Sequence, residues 1–327
     1  MLDKLNVLQL GWQTGFATAN QTATRKLSRV SAFSLTPDLQ TRALEELRGS
    51  LAPTHQTALD WYASSATFEM PDATFEEIVY PLEMLFGTVS PTGAGPYVRA
   101  YAAPLTTAVT PRFATLQYGQ GTDVYQMQDA SVATLTLTGD SNGGLQGGGS
   151  LVGGKVIGGN IAALSDAASE TRMTGCMAKV FIDAWDATSI STEISNTAFS
   201  WELTINSNRE YRSYLGSCTP TAYADNKWNG QLKLSMEFNA TSKAMVDAIL
   251  AASNTILEKQ IKIVYSVGAT TTLRTFSVEF AGHTMQAPQL FTSRNGVTSV
   301  DLVFDGVYNS KLANWLKVNS TSGLTTA

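Results

Sequence analysis

From Gln231 to Phe238 apolar and polar side chains alternate without a break, Leu232, Leu234, Met236 and Phe238 against Gln231, Lys233, Ser235 and Glu237. A period of two places the first set on one face of a strand and the second on the other, so the segment reads as a half-buried β-strand. Ala66, Phe68 and Met70 against Ser65, Thr67 and Glu69 give a weaker version. After each strand the spacing becomes helical. Thr74 and Glu77 form a capping box ahead of an apolar stripe, Phe75, Ile78, Leu82 and Leu85, interrupted by Pro81. In the later segment Thr241 or Ser242 caps a helix whose stripe is Met245, Ile249 and Ala252.

Further strands are predicted at 30–36, 97–103, 112–118 and 132–138, and at 260–267, 273–280 and 297–304. Thr134, Thr136 and Thr138 alternate with Leu135 and Leu137, as Ser299, Asp301 and Val303 do with Val300, Leu302 and Phe304. The likeness between the halves extends to short strings. Phe33-Ser34-Leu35-Thr36, Gly49-Ser50-Leu51-Ala52-Pro53-Thr54 and Trp61 recur as Trp201-Glu202-Leu203-Thr204, Gly216-Ser217-Cys218-Thr219-Pro220-Thr221 and Trp228. The offset stays at 167 or 168 positions, about half the chain, so the repeating unit is a whole domain. Gly49, Pro53, Trp61, Gly216, Pro220 and Trp228 are the repeat-equivalent positions expected to do the same structural work in both copies.

This divides the chain into a first domain at 1–141, a connector at 142–172, a second domain at 173–318 and a polar tail at 319–327. The connector, dense in glycine from Gly143 to Gly159, reads as flexible, with Leu151, Val152, Val156 and Ile157 packing part of it. The tail is expected to fray. A long connection, 37–55, carries the charged run from Arg42 to Arg48, and one of similar length lies between Ile205 and Trp228.

The 327 residues suffice for two domains with their own cores, and no apolar run approaches the roughly 20 residues that span a bilayer. The first ten residues lack a signal-type apolar stretch, which reads as a non-secreted protein. With 22 basic against 27 acidic residues the net charge is −5, which argues against a protein that grips nucleic acid, since that requires clustered cations. Cys176 and Cys218 read as small buried thiols.

Candidate chemistry fails position by position. The two histidines, His55 and His283, support no catalytic triad, and no Gly-x-Ser-x-Gly elbow occurs. Gly149, Gly154 and Lys155 satisfy part of a phosphate-loop pattern, but Val156 stands where Ser or Thr must hold magnesium. The Cys and His positions lack zinc spacing, and the carboxylates form no calcium loop. No enzyme activity, cofactor or metal is expected.

The polar lead at 11–24, the strand at 31–36, the long charged loop closing on Gly49-Ser50 and the strand–helix pair from 67 to 85 resemble the tail tube (major tail) proteins of long-tailed bacteriophages, the siphophages. The resemblance implies a mainly β fold of two tandem duplicated β-sandwich tube domains, each with a short flanking α-helix. It implies that domains pair edge to edge, their inner sheets joining into a ring barrel around a lumen. Two domains per chain would make a homotrimer with six pseudo-equivalent positions, stacking into a tube that conducts DNA during ejection. The partners implied are further copies of the chain, tape-measure and tail-end proteins, and passing double-stranded DNA bound without specificity. No membrane partner is implied. The location implied is the virion tail, assembled in the host cytoplasm.

On the same resemblance 37–55 and 206–226 become ring-stacking loops, with Arg42, Glu45, Glu46, Arg48, Arg209, Glu210 and Arg212 as contact residues. The lumen face is either the one carrying Ser65, Thr67, Glu69, Lys233, Ser235 and Glu237 or the one carrying Thr134, Thr136, Ser299 and Asp301. An acidic, cation-poor lumen would repel phosphate and let DNA pass. The competing expectation is a tandem β-sandwich binding module or an adhesin-type virion protein, because a fold does not fix a function.

Overall fold

The computed structural model describes residues 5–18, 21–44, 56–166, 170–194, 196–251, 257–284, 286, 288–294 and 296–324. In chain order the elements are β1 (Val7–Trp12), β2 (Arg25–Lys26), β3 (Ala32–Leu44), β4 (Gln56–Met70), α1 (Val79–Phe86), β5 (Tyr97–Ala102) and β6 (Ala114–Gln120). There follow β7 (Asp123–Asp140), β8 (Gly144–Gly153), β9 (Val156–Gly158), β10 (Ala178–Ala184), β11 (Ala198–Asn206), β12 (Arg209–Arg212) and β13 (Ala222–Asp225). The remainder is β14 (Asn229–Glu237), α2 (Ala240–Leu250), β15 (Glu258–Val267), β16 (Arg274–His283), β17 (Gln289–Arg294), β18 (Val297–Gly306) and β19 (Leu316–Ser322). The protein is mainly β, and every strand pairing is antiparallel.

One continuous layer organises the molecule. Its strands run β3-β4-β8-β7-β11-β14-β18-β17, crossing from the first half to the second where β7 pairs β11. The first four and the last four have the same connectivity: two hairpins whose second strands lie side by side, with a helix after the first hairpin. The layer does not close on itself, because β3 and β17 each have one strand neighbour among the described residues.

Two smaller layers cover its apolar face. One is β10-β15-β16-β19-β5, and the other is β2-β1-β6-β7-β9. The long strand β7 serves two layers. Residues 123–130 pair β6 and residues 131–140 pair β8, and Asp129 sits at the change with φ 52°. Leu135, Leu203, Leu234 and Leu302 meet Ile263, Phe276, Phe280 and Val318 in a single apolar core that runs through both halves. Each such fully buried side chain contributes about 1.5–3 kcal/mol.

The glycine-rich segment is no flexible connector. Residues 144–153 are β8, held between β4 and β7. The glycines permit close approach: a Cβ on Gly149 would lie 2.1 Å from the Thr134 carbonyl oxygen, and one on Gly153 would lie 2.3 Å from the Met127 side chain. Likewise the polar tail does not fray as far as Ser322. Asn319–Ser322 continue β19 between β16 and β5, and Ser320, Thr321 and Ser322 are buried.

Residues 37–44 of the long connection at 37–55 are strand, since β3 extends to Leu44, and 45–55 lie outside the described residues. Both helix caps differ from expectation. Thr74 Oγ1 accepts from the Glu77 amide at 3.1 Å, but the Glu77 carboxylate turns away to Ser28 and Arg29, so only half of the box forms. At α2 the cap is Asn239, whose Oδ1 accepts from the amides of Thr241 and Ser242, while Ser242 Oγ accepts from the Asn239 amide. Pro81 falls in the first turn of α1, where a missing amide costs little. Cys176 and Cys218 are free and exposed rather than buried.

Candidate functional site

The uncovered face of the eight-stranded layer is its polar face, and strand register defines it. One row across it is Ala32, Glu69, Gly148, Thr136, Thr204, Gln231 and Asp305. A second is Ser34, Thr67, Ser150, Thr134, Asn206 and Asn229. On β14 and β18, Ser235 stands opposite Asp301 and Glu237 opposite Ser299. The two sets offered by the sequence as alternative faces are therefore one face of one layer. The strands pair directly, so their period-two alternation stays in phase across the layer.

Its charge is lopsided. Glu69, Asp140, Glu202, Glu237, Asp301 and Asp305 share it with Lys233 and Arg294. Both cations are tied to carboxylates. Lys233 Nζ lies 3.1 Å from Asp301 Oδ2, and the Arg294 guanidinium reaches Asp140 and Ser200, so the β17–β18 hairpin leans over the face. Around these groups the face carries hydroxyls and amides; Thr136 and Thr204 place their hydroxyl oxygens 3.4 Å apart across the β7–β11 junction. Such a surface offers hydration and a net negative field, and no nucleophile held by a base.

The junction between the halves is reinforced beside the layer. The hairpin β12–β13 lies against the first half, and its Arg209 is buried. Arg209 Nε and Nη2 bond Asp225 at 2.7 and 3.1 Å, while Nη1 and Nη2 donate to the carbonyls of Met84, Leu85 and Val132 at 3.0–3.1 Å. The guanidinium thus caps the C-terminal end of α1, where backbone carbonyls concentrate negative potential. Tyr211 donates to the Asp129 carbonyl and stacks edge-on to Phe16 at 5.1 Å, and Trp228 covers Phe86 at 5.3 Å.

Beneath α1, Glu83 is buried with Arg99 and Arg112 as ionic partners, and the Arg112 guanidinium sits 4.0 Å from the centre of the Trp12 ring. Burial raises the Glu83 carboxyl above its ordinary range, and the two arginines oppose that. Burial, aided by the neighbouring Glu170 carboxylate, raises Glu77 to about 7, against hydrogen bonds from Ser28 and Arg29. Asp129 is raised to about 6 by burial, opposed by the Ala17 amide. These groups anchor the lead segment and α1 within the fold.

The expected contact residues separate. Arg42 is exposed on β3 and lies 3.5 Å from Asp60, while Glu45, Glu46, Arg48, Gly49 and Pro53 lie outside the described residues. Arg209 is internal rather than on a free stacking loop; Glu210 and Arg212 alternate with it and point outward. Trp61 is half-buried and Trp228 buried, Pro220 is buried, and Gly216 occupies an exposed turn with φ 96°. Glu69, Thr136, Lys233, Glu237 and Asp301 all fall on the polar face.

Sequence reasoning missed the cap made by Arg209, although a signal existed: Arg42 and Arg209 are 167 positions apart, the repeat offset. It also missed the Glu83–Arg99–Arg112 cluster, whose members lie on α1, on β5 and in the segment before β6. No family model matches the chain, and no curated protein matches it.

Proposed function

We propose that this chain is a self-assembling structural subunit of a tail-tube type, in which two tandem copies of one β-sandwich unit occupy neighbouring positions of a ring. The observation that carries the reading is the eight-stranded layer, with one uncovered acidic face and an open strand at each end. An edge as long as β3, with 13 residues, exposes a row of unpaired amides and carbonyls that invites another strand. Pairing β3 of one copy with β17 of the next satisfies both edges, and repeated head to tail it closes a ring. Three chains would supply six four-strand groups around a lumen lined by the polar face.

In that arrangement Glu69, Thr136, Lys233, Glu237 and Asp301 line the channel. Because Lys233 and Arg294 are already paired, the lining presents carboxylates and hydroxyls to a passing polyanion and gives phosphates nothing to hold. Exposed residues of the β3–β4 hairpin, including Arg42, extend beyond the ring body and supply contacts between copies.

Negative-stain microscopy and sedimentation of the purified protein test the reading. Rings or stacked tubes are the expected result; monodisperse single chains at all concentrations would overturn it in favour of a tandem β-sandwich binding module.

A further inference from the structure

The halves of the chain are joined by an interface visible in full, and its two sides have counterparts that are left open. On the receiving side, Thr136 of β7 pairs Gly148, which pairs Glu69. In the second half Thr292 of β17 pairs Ser299, which pairs Glu237. Glu69 and Glu237 are repeat equivalents 168 positions apart, so Thr292 occupies the place of Thr136. On the incoming side, Thr204 of β11 pairs Gln231, which lies 168 positions after Ala63, and Ala63 pairs Asp38, so Asp38 of β3 occupies the place of Thr204. Thr136 and Thr204 face each other inside the chain, whereas Thr292 and Asp38 stand on the two open edges.

The flanking anchors follow the same rule. Arg209 caps the end of α1, and its equivalent, Arg42, is exposed with a side-chain accessibility of 67%. Arg209 is held by Asp225, and Arg42 by Asp60. Trp228 covers α1 through Phe86, while Trp61 has no such helix beneath it among the described contacts. The helix that should receive Arg42 and Trp61 is α2. Its last turn has no basic residue, and Ala244, Asp247, Ala248 and Leu250 are exposed on its outer side. Small side chains there allow a hairpin to approach closely, and an arginine would complement the carbonyl end of the helix.

We propose that the interface between chains copies the one within the chain: β3 of a second copy pairs the β17 edge with Asp38 opposite Thr292, while its Arg42 caps the C-terminal end of α2. This rests on the self-assembly reading and specifies its register and anchor. The ladder is short. Pro37 has no amide to donate and stands where β11 has Leu203, and the irregular part of β17 between Gln289 and Thr292 lies beside the residues that follow Asp38. With few ladder bonds available, the arginine cap becomes a substantial part of the interface.

Cysteine cross-linking reads the register. With Cys176 and Cys218 replaced by Ser, a chain carrying D38C and T292C should form disulfide-linked oligomers under mild oxidation, and D38C with S293C, which points to the other face, should not. The anchor is read separately. R42E should reduce the assembled fraction about ten-fold or more, R42K should retain most of it, and the circular dichroism and thermal midpoint of the isolated chain should match the parent for both. Rings that form without the 38–292 cross-link, or at parental yield in R42E, overturn this interface while leaving the self-assembly reading intact. A parent chain that never assembles overturns both.

Discussion

The two helices follow equivalent hairpins and meet opposite fates. All eight residues of α1 are buried, whereas only Ser242, Met245 and Val246 of the eleven in α2 are. The difference does not come from the helices' own apolar stripes, since both sequences show one. It comes from what lies on top: α1 is roofed by the β12–β13 hairpin and Trp228 of the second half, and α2 has no equivalent roof among the described residues. That half-exposed surface is where the proposed contact with a second copy would place its cover.

Arg209 and Arg42 are the sharpest way to break this comparison. R209A should destabilise the isolated chain by about 3–5 kcal/mol in chemical denaturation, because it strands the buried Asp225 carboxylate and uncaps α1. R42A should shift the same measurement by less than about 0.5 kcal/mol, its partner Asp60 being solvated. Equal costs would mean that the two sites are not equivalents in different states of cover.

The helices themselves give the next contrast. L82A in α1 should cost about 2–5 kcal/mol by leaving a cavity in a fully buried site. L250A in α2 should cost less than about 0.5 kcal/mol in the isolated chain. A larger L250A penalty on assembled material than on single chains would locate the missing cover on α2.

A smaller effect separates the two ends of the glycine-rich segment. G149A should destabilise by about 1–3 kcal/mol, because its Cβ would collide with the Thr134 carbonyl. G158A, whose Cβ meets nothing within 4 Å, should be close to neutral by the same thermal measurement.

The smallest contrast concerns pH. Glu77 titrates near 7 in the folded chain and near its ordinary 4.5 unfolded, so the folded state prefers the protonated form. Its contribution is complete below the unfolded value and is lost as pH rises through about 7. E77Q should therefore be more stable than the parent at pH 8, by on the order of 1 kcal/mol. The two should converge near pH 4; an advantage independent of pH would contradict burial as the cause.

Much of the strand pattern was legible because alternation is a local property. The segments at 231–237 and 65–70 fall within β14 and β4, Phe238 lying just past the strand, and the faces assigned to their side chains hold. The caps were harder: Asn239 rather than Thr241 or Ser242 begins α2, since all three can accept an amide and only backbone geometry selects among them. The glycine-rich run was misread for a related reason. Composition signals flexibility when nothing packs on the chain, and here β4 and β7 press on β8 from both sides.

By itself the sequence determined the alternation of segments such as 65–70 and 231–237, a strand followed by a helix in each half and the acidic bias of the polar positions, all of which follow from residue order along a single strand or helix. The tertiary structure alone decided that the two polar candidate faces are one, that the layer runs through both halves and stops at β3 and β17, and that Arg209 is buried while Arg42 is not. Those outcomes depend on which strand lies beside which, and pairing partners far apart in the chain leave no mark on the local pattern that their side chains make.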